Sequence, residues 1–339
     1  MHSRGHAVRR VAFGATILDA TGTQLSAEEK AFFANADPFG FILFARNIET
    51  PDQVHALTSE MRDAVGRDAP ILIDQEGGRV QRMRAPAWRE WLPPMDHVVA
   101  AGTDAAEAMY LRSRIMADEL RAVGVDANCA PLVDVAVDGT HEFLMNRCYG
   151  HDPDRVAEIG RAVADGLLAG GVLPVVKHMP GHGRATVDSH FGLPETDVSL
   201  DLLTRTDFAP FKALNDLPMG MTGHVVYSAM DARPATLSPV VMGHIRDEIG
   251  FDGLIMTDDI TMKALDAPLD EITRGALEAG CDVVLLCNAS LEERGLVADA
   301  AGRMTDVAQR RAEKAIAARR TPDEVDIPAL EAKLVALTA

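Results

Sequence analysis

The chain has 339 residues, 47% hydrophobic and 25% charged, with a formal net charge of −18. That is the composition of an ordinary globular protein, long enough for one large α/β barrel or two small domains. The acidic balance argues against nucleic acid or an anionic membrane as partner, and no uncharged apolar run reaches the roughly 18 residues of a membrane span.

The opening stretch MHSRGHAVRRVAFGATILDATG sets Arg9 and Arg10 before a short apolar run. Asp19 closes that run early and no small-x-small cleavage pattern follows, so a first strand fits better than a signal peptide. Short apolar runs then alternate with amphipathic stretches to the end of the chain. The candidate strands are VAFGATI (11–17), FGFILF (39–44), PILID (70–74), VDANCAPLVD (125–134), VLPVVKH (172–178), PMGMTGHVV (218–226), GLIMTD (253–258) and CDVVLL (281–286).

Helical patterns such as PDQVHALTSEMRDAV and DPDRVAEIGRAVADGLLAG lie between them. Thr50-Pro51-Asp52 offers a side-chain cap and then Pro in the first turn. Gly124, Gly170 and Gly250 stand where a helix-terminating glycine belongs. From about Asp299 the chain is rich in Ala, Arg and Glu and reads as one or two closing helices. Eightfold strand–helix alternation predicts a single α/β domain over 1–339, a (β/α)8 TIM-type barrel. A doubly wound open sheet is the alternative, although no GxGxxG follows the first strand to support its dinucleotide-binding form.

Cys129, Cys148, Cys281 and Cys287 form no CxxC pair, and three of them lie in or beside apolar runs. Buried free thiols in a reducing compartment are expected, hence a cytoplasmic protein.

In such a barrel the chemistry sits where strands end at the C-terminal face. Polar residues do end these strands: Arg46 after the second, Asp74 on the third, Asp134 on the fourth, Lys177 and His178 on the fifth, His224 on the sixth, Asp258 and Asp259 on the seventh. The densest group is KHMPGHGRATVDSH, residues 177–190. Pro180, Gly181 and Gly183 exclude a regular helix there, which leaves a loop at a strand end. Three uses of the loop stand open: a zinc site on His178, His182 and His190, a satisfied polar turn, and acid–base chemistry. Asp188 and His190 are two apart, so an extended segment points both to one side, where the carboxylate orients and charges the imidazole.

KHMPGHG, followed by DSH and LP, resembles the signature loop of family 3 glycoside hydrolases of the bacterial β-N-acetylglucosaminidase type, with Met179 in place of the usual phenylalanine. Four further segments are similar to that family in the same order, among them LIDQEGGRVQRM (72–83), NRCYG (146–150) and MTDDITM (256–262). Together they span about residues 40 to 265.

The resemblance implies a retaining exo-β-N-acetylglucosaminidase acting on a small-molecule muropeptide or amino sugar. The expected substrate is N-acetylglucosamine β-1,4-linked to anhydro-N-acetylmuramic acid, with or without peptide. Asp258 would be the nucleophile and His190 the acid/base, oriented by Asp188. Asp74, Arg82, Arg147, Lys177 and His178 would bind the sugar. No metal or organic cofactor is implied, and a monomer is expected.

Several lesser assignments complete the expectation. His182 shapes the loop, Glu76 and Arg79 form a structural ion pair, Asp259 caps or supports, and His224 either lines the pocket or is a satisfied barrel histidine. A phosphorylase of the same family and a zinc-dependent barrel hydrolase remain as alternatives. A two-domain β-glucosidase would need a further domain, and a silent sugar-binding barrel would have lost Asp258 or His190.

Overall fold

The computed structural model describes residues 12–185 and 192–339. Eight strands form the frame: β1 (Gly14–Asp19), β2 (Pro38–Leu43), β3 (Ile71–Ile73), β4 (Ala127–Asn128), β5 (Leu173–Met179), β6 (Met219–Thr222), β7 (Leu254–Met256) and β8 (Val284–Leu286). They pair in parallel in the order β8-β1-β2-β3-β4-β5-β6-β7. A parallel bridge from Met256 to Val283 brings β7 back to β8 and closes the ring. This is the (β/α)8 barrel that the alternation predicts, with each expected strand present and its ends moved by a few residues. Val11, the first residue of the expected first strand, lies outside the described residues.

The largest difference is β4. A strand over 125–134 was expected, but regular pairing covers only Ala127–Asn128. Pro131 lacks an N–H and interrupts the ladder. Bonds to β5 resume around it, with Val133 N–H donating to the Lys177 carbonyl at 2.9 Å.

Side chains alternate along the strands, as a pleated backbone requires. Leu72, Ala127, Val175, Met219, Leu254 and Leu285 point into the barrel and form one apolar cluster. Their neighbours Leu43, Ile71, Val176, Ile255 and Leu286 face outward onto the helices and join the larger core. The barrel is therefore filled, not open.

Helix boundaries follow local chemistry. Thr50 accepts the Gln53 N–H at 3.2 Å to start the helix Pro51–Val65, and Gly66 ends it in the left-handed region at φ 63°. Gly124 and Gly250 also take left-handed turns, at φ 80° and 79°. Gly170 ends the helix Pro153–Ala169 at φ −88°.

Of the two closing helices, Asp306–Ala317 sets Ala308, Ala312 and Ala315 against the lower end of the barrel, within the same cluster as its interior. Ile327–Leu337 packs on the helix Ala105–Ala122, with Glu331 paired to Arg89 at 2.9 Å. All four cysteines are buried and unpaired. Among the described residues no helix is long and apolar enough to cross a membrane.

Candidate active site

The polar strand ends converge. Asp74 follows β3, Arg147 lies on the segment after β4, Lys177 and His178 end β5, and Asp258 follows β7. With Arg82 they line a cleft of about 330 Å³ at the C-terminal face, floored by Ile42, Met221, Leu285 and Cys287. The floor is the upper surface of the packed barrel interior, so the cleft ends blind.

One wall is a cluster of two carboxylates and three cations. Lys177 is buried and its Nζ reaches Asp74 Oδ1 at 3.0 Å and Glu76 Oε1 at 2.6 Å. Arg82 donates to the other oxygen of Asp74 at 3.1 Å, and its guanidinium lies over the Phe44 ring at 5.4 Å. Arg147 grips Glu76 with Nε and Nη2 at 2.9 and 2.8 Å. Burial alone would push these carboxyls up, but the adjoining cations outweigh it. Arg147 and Lys177 bring Glu76 down to about 2, and Lys177 and Arg82 hold Asp74 well below the carboxylate range. Lys177 is correspondingly raised: its burial is outweighed by Asp74 and Glu76.

This corrects one expectation. Glu76 does not pair with Arg79 but with Arg147 and Lys177, while Arg79 donates to the Phe143 carbonyl at 2.8 Å. Gly77 and Gly78, at φ 111° and 57°, turn the chain between the two residues. A side chain at Gly77 would collide with Arg112 Nη2, 1.9 Å from its Cβ position.

Asp258 stands across the cleft, its side chain 22% exposed. Its Oδ1 accepts the Asp259 N–H at 2.8 Å. Burial raises its carboxyl, but the imidazoles of His178 and His224, that N–H and Lys177 together hold it below its ordinary value. An ionised, partly exposed carboxylate at the base of a blind cleft is equipped to attack an electrophilic carbon.

Asp259 plays a supporting part, as expected. It accepts from Thr261 N at 3.0 Å, Thr261 Oγ1 at 2.8 Å and Cys287 N at 3.2 Å, tying the turn after β7 to the end of β8. Burial, with the neighbouring Asp258 charge adding to it, outweighs those bonds and raises its carboxyl to about 6.

His224 is a satisfied barrel histidine: it is buried, with Nδ1 on Thr236 Oγ1 at 2.7 Å and Nε2 on the Asp259 carbonyl at 3.0 Å. Arg46 does not itself line the cleft; it is engaged on Asp19 and on Asn288, and of the two partners Asn288 is a lining residue. His182 is buried beside His178, with ring centroids 5.5 Å apart. Burial, with the neighbouring His178 imidazole adding to it, lowers it to about 4, so it is neutral at neutral pH. Among the described residues no cluster of His, Cys, Asp or Glu has the geometry of a metal site.

Asp188 and His190 lie outside the described residues. The loop leading to them is anchored on the segment after β4: Thr140 Oγ1 donates to the Gly183 carbonyl at 2.6 Å, and His141 N–H to the Ala185 carbonyl at 3.2 Å. Gly183 lies so close to Val135 that a Cβ there would stand 1.8 Å from its carbonyl oxygen.

The chain matches the N-terminal domain of glycosyl hydrolase family 3 over residues 12–318. It belongs to that family. This family 3 glycoside hydrolase is 41% identical over 278 residues to a β-hexosaminidase of Methylococcus capsulatus, covering 80% of this chain and 82% of the relative. A β-hexosaminidase of Pseudomonas aeruginosa is 39% identical over 280 residues, covering 81% and 82%.

Native NagZ from Neisseria gonorrhoeae superposes on the family 3 barrel with a TM-score of 0.85 at 31% identity, covering 97% of this chain and 99% of its own. The same protein has been solved in complex with N-trifluoroacetyl-D-glucosamine, with a TM-score of 0.84 at 30% identity.

Proposed function

We propose that this enzyme is a retaining exo-β-N-acetylglucosaminidase that removes the non-reducing terminal N-acetylglucosamine from peptidoglycan fragments. The observation that carries the proposal is Asp258: a carboxylate held ionised at the base of a blind cleft, facing a wall of charged side chains. Asp74, Arg82, Arg147, Lys177 and His178 are the donors and acceptors for the sugar hydroxyls. The blind floor favours a chain end over an internal linkage. The β-hexosaminidase relatives and the neighbour solved with an N-acylated glucosamine support the choice of sugar.

In the first step an Asp258 oxygen bonds to the anomeric carbon as the glycosidic C–O bond breaks. His190, oriented by Asp188, gives its proton to the departing oxygen. In the second step His190 takes a proton from water, the water oxygen bonds to the same carbon, and the bond to Asp258 breaks. Both steps run on side chains alone, without metal or organic cofactor. We further read residues 1–339 as one catalytic domain acting as a cytoplasmic monomer, with four free thiols fitting a reducing compartment.

The experiment is release of chromophore from an aryl N-acetyl-β-glucosaminide in the presence of EDTA, comparing wild type with Asp258→Ala. Turnover that survives the chelator and vanishes in the variant supports the reading. Activity lost to EDTA, or undisturbed in the variant, sinks it. Added phosphate yielding a sugar 1-phosphate would make the enzyme a phosphorylase instead of a hydrolase.

A further inference from the structure

We propose that Asp134, on the segment after β4, is a positioning residue for this reaction: it holds the ring of His178 with Nε2 toward Asp258 and decides which of the two nitrogens carries the proton. The proposal rests on Asp258 as nucleophile. Nothing in the family motifs above carries Asp134, and its role comes from the way its two oxygens divide their bonds.

Asp134 has no solvent exposure. Its Oδ1 accepts two backbone N–H groups, from His178 near the end of β5 at 3.2 Å and from His182 in the loop that follows at 2.7 Å. Its Oδ2 stands 2.7 Å from His178 Nδ1. Burial raises the Asp134 carboxyl, but the two histidines and the loop N–H outweigh it, so it is held below its ordinary value and is ionised. An ionised carboxylate only accepts, so Nδ1 must carry a proton. That fixes the ring's orientation and turns Nε2 toward the nucleophile, 4.0 Å from Asp258 Oδ2. At that distance Nε2 and Oδ2 do not bond directly, and both remain turned to whatever occupies the cleft. The arrangement parallels the general case in which a buried carboxylate sets the tautomer of a working imidazole.

The division of labour makes the role testable apart from folding. In Asp134→Asn the amide oxygen can still accept both backbone N–H groups. Its NH2 then faces His178 Nδ1, which must become an acceptor, and the ring proton moves to Nε2. The opposite amide orientation would set NH2 against two N–H donors and is disfavoured.

The experiment measures the imidazole nitrogen resonances of His178 and the kinetics on an aryl N-acetyl-β-glucosaminide, in wild type and D134N. Expected are protonated Nδ1 in wild type, a ring proton moved to Nε2 in D134N, melting temperatures within a few degrees, and kcat lower by about 100-fold or more. A moved proton with kcat unchanged overturns the proposal, as does a proton that does not move.

His178→Asn covers the case in which D134N does not fold. Its side-chain amide keeps a donor toward Asp134 but has no atom in the place of Nε2. It should lose kcat to the same order, and wild-type kcat in that variant overturns the proposal. A wild-type enzyme inactive on the glucosaminide would sink the glycosidase reading instead, while the ring resonances, which need no substrate, still report what Asp134 does to His178.

Discussion

The guanidinium of Arg147 meets the carboxylate of Glu76 through two parallel hydrogen bonds, 2.9 Å from Nε and 2.8 Å from Nη2, both side chains almost wholly buried. Lys177 shares the same carboxylate. Glu76→Ala leaves two cations buried with half their counter-charge, which is expected to cost about 3–5 kcal/mol of stability. Urea unfolding measures it. A loss below about 1 kcal/mol would mean that water or Asp74 takes over the neutralisation.

Two carboxyls of the site should move stability with pH in opposite directions. Glu76 is depressed from 4.5 to about 2. Its contribution is therefore complete above 4.5 and is lost as pH falls toward 2. Asp259 is raised from 3.8 to about 6. Between those values the folded state binds the extra proton, so stability falls as pH rises. Glu76→Gln should flatten the acid limb of a stability–pH curve, and Asp259→Asn the limb between about 4 and 6. Urea midpoints across pH 3 to 7 read both, and parallel curves for wild type and variants would contradict the assignment.

Asp258→Ala is expected to lower kcat by roughly 1,000-fold or more, as the loss of a nucleophile does. A slow fluorinated glucosaminide should leave its sugar on the peptide that contains Asp258 in the wild type. Mass spectrometry of the digest decides: label on another peptide moves the nucleophile elsewhere.

His190→Ala should weaken turnover of poor leaving groups far more than of good ones, because only a poor leaving group needs the proton. A series of aryl glucosaminides spanning leaving-group acidity tests this. Equal losses across the series would remove His190 from the proton-donor role.

Much of this architecture is legible in the sequence because barrel strands advertise themselves twice. VLPVVKH reads as an apolar run with a charged end, and β5 is found there with Lys177 turned inward from an apolar strand. Asp74 and Asp258 are marked the same way. What cannot be read is partnership across distance. Glu76 and Arg147 are 71 residues apart, and Lys177 lies 103 residues beyond Asp74. Only the closed ring brings these strand ends within reach, so the local choice of Arg79 as partner for Glu76 failed.

Asp134 shows the limit from the other side. Its place at a strand end was visible, but nothing along the chain indicates that its two oxygens would take separate tasks. The extent of β4 failed for a plainer reason, since Pro131 breaks the ladder while leaving the hydrophobic pattern intact.

The alanine helix Asp306–Ala317 stops the lower end of the barrel, and among the described residues the packed interior above it leaves the cleft open only at the C-terminal face. Traffic must then run as in a cul-de-sac. On the proposed exo action, the sugar that enters first would sit deepest and depart last, after the rest of the substrate has cleared the entrance. Until it went, no second substrate could be seated, so the freed monosaccharide would compete for the same berth.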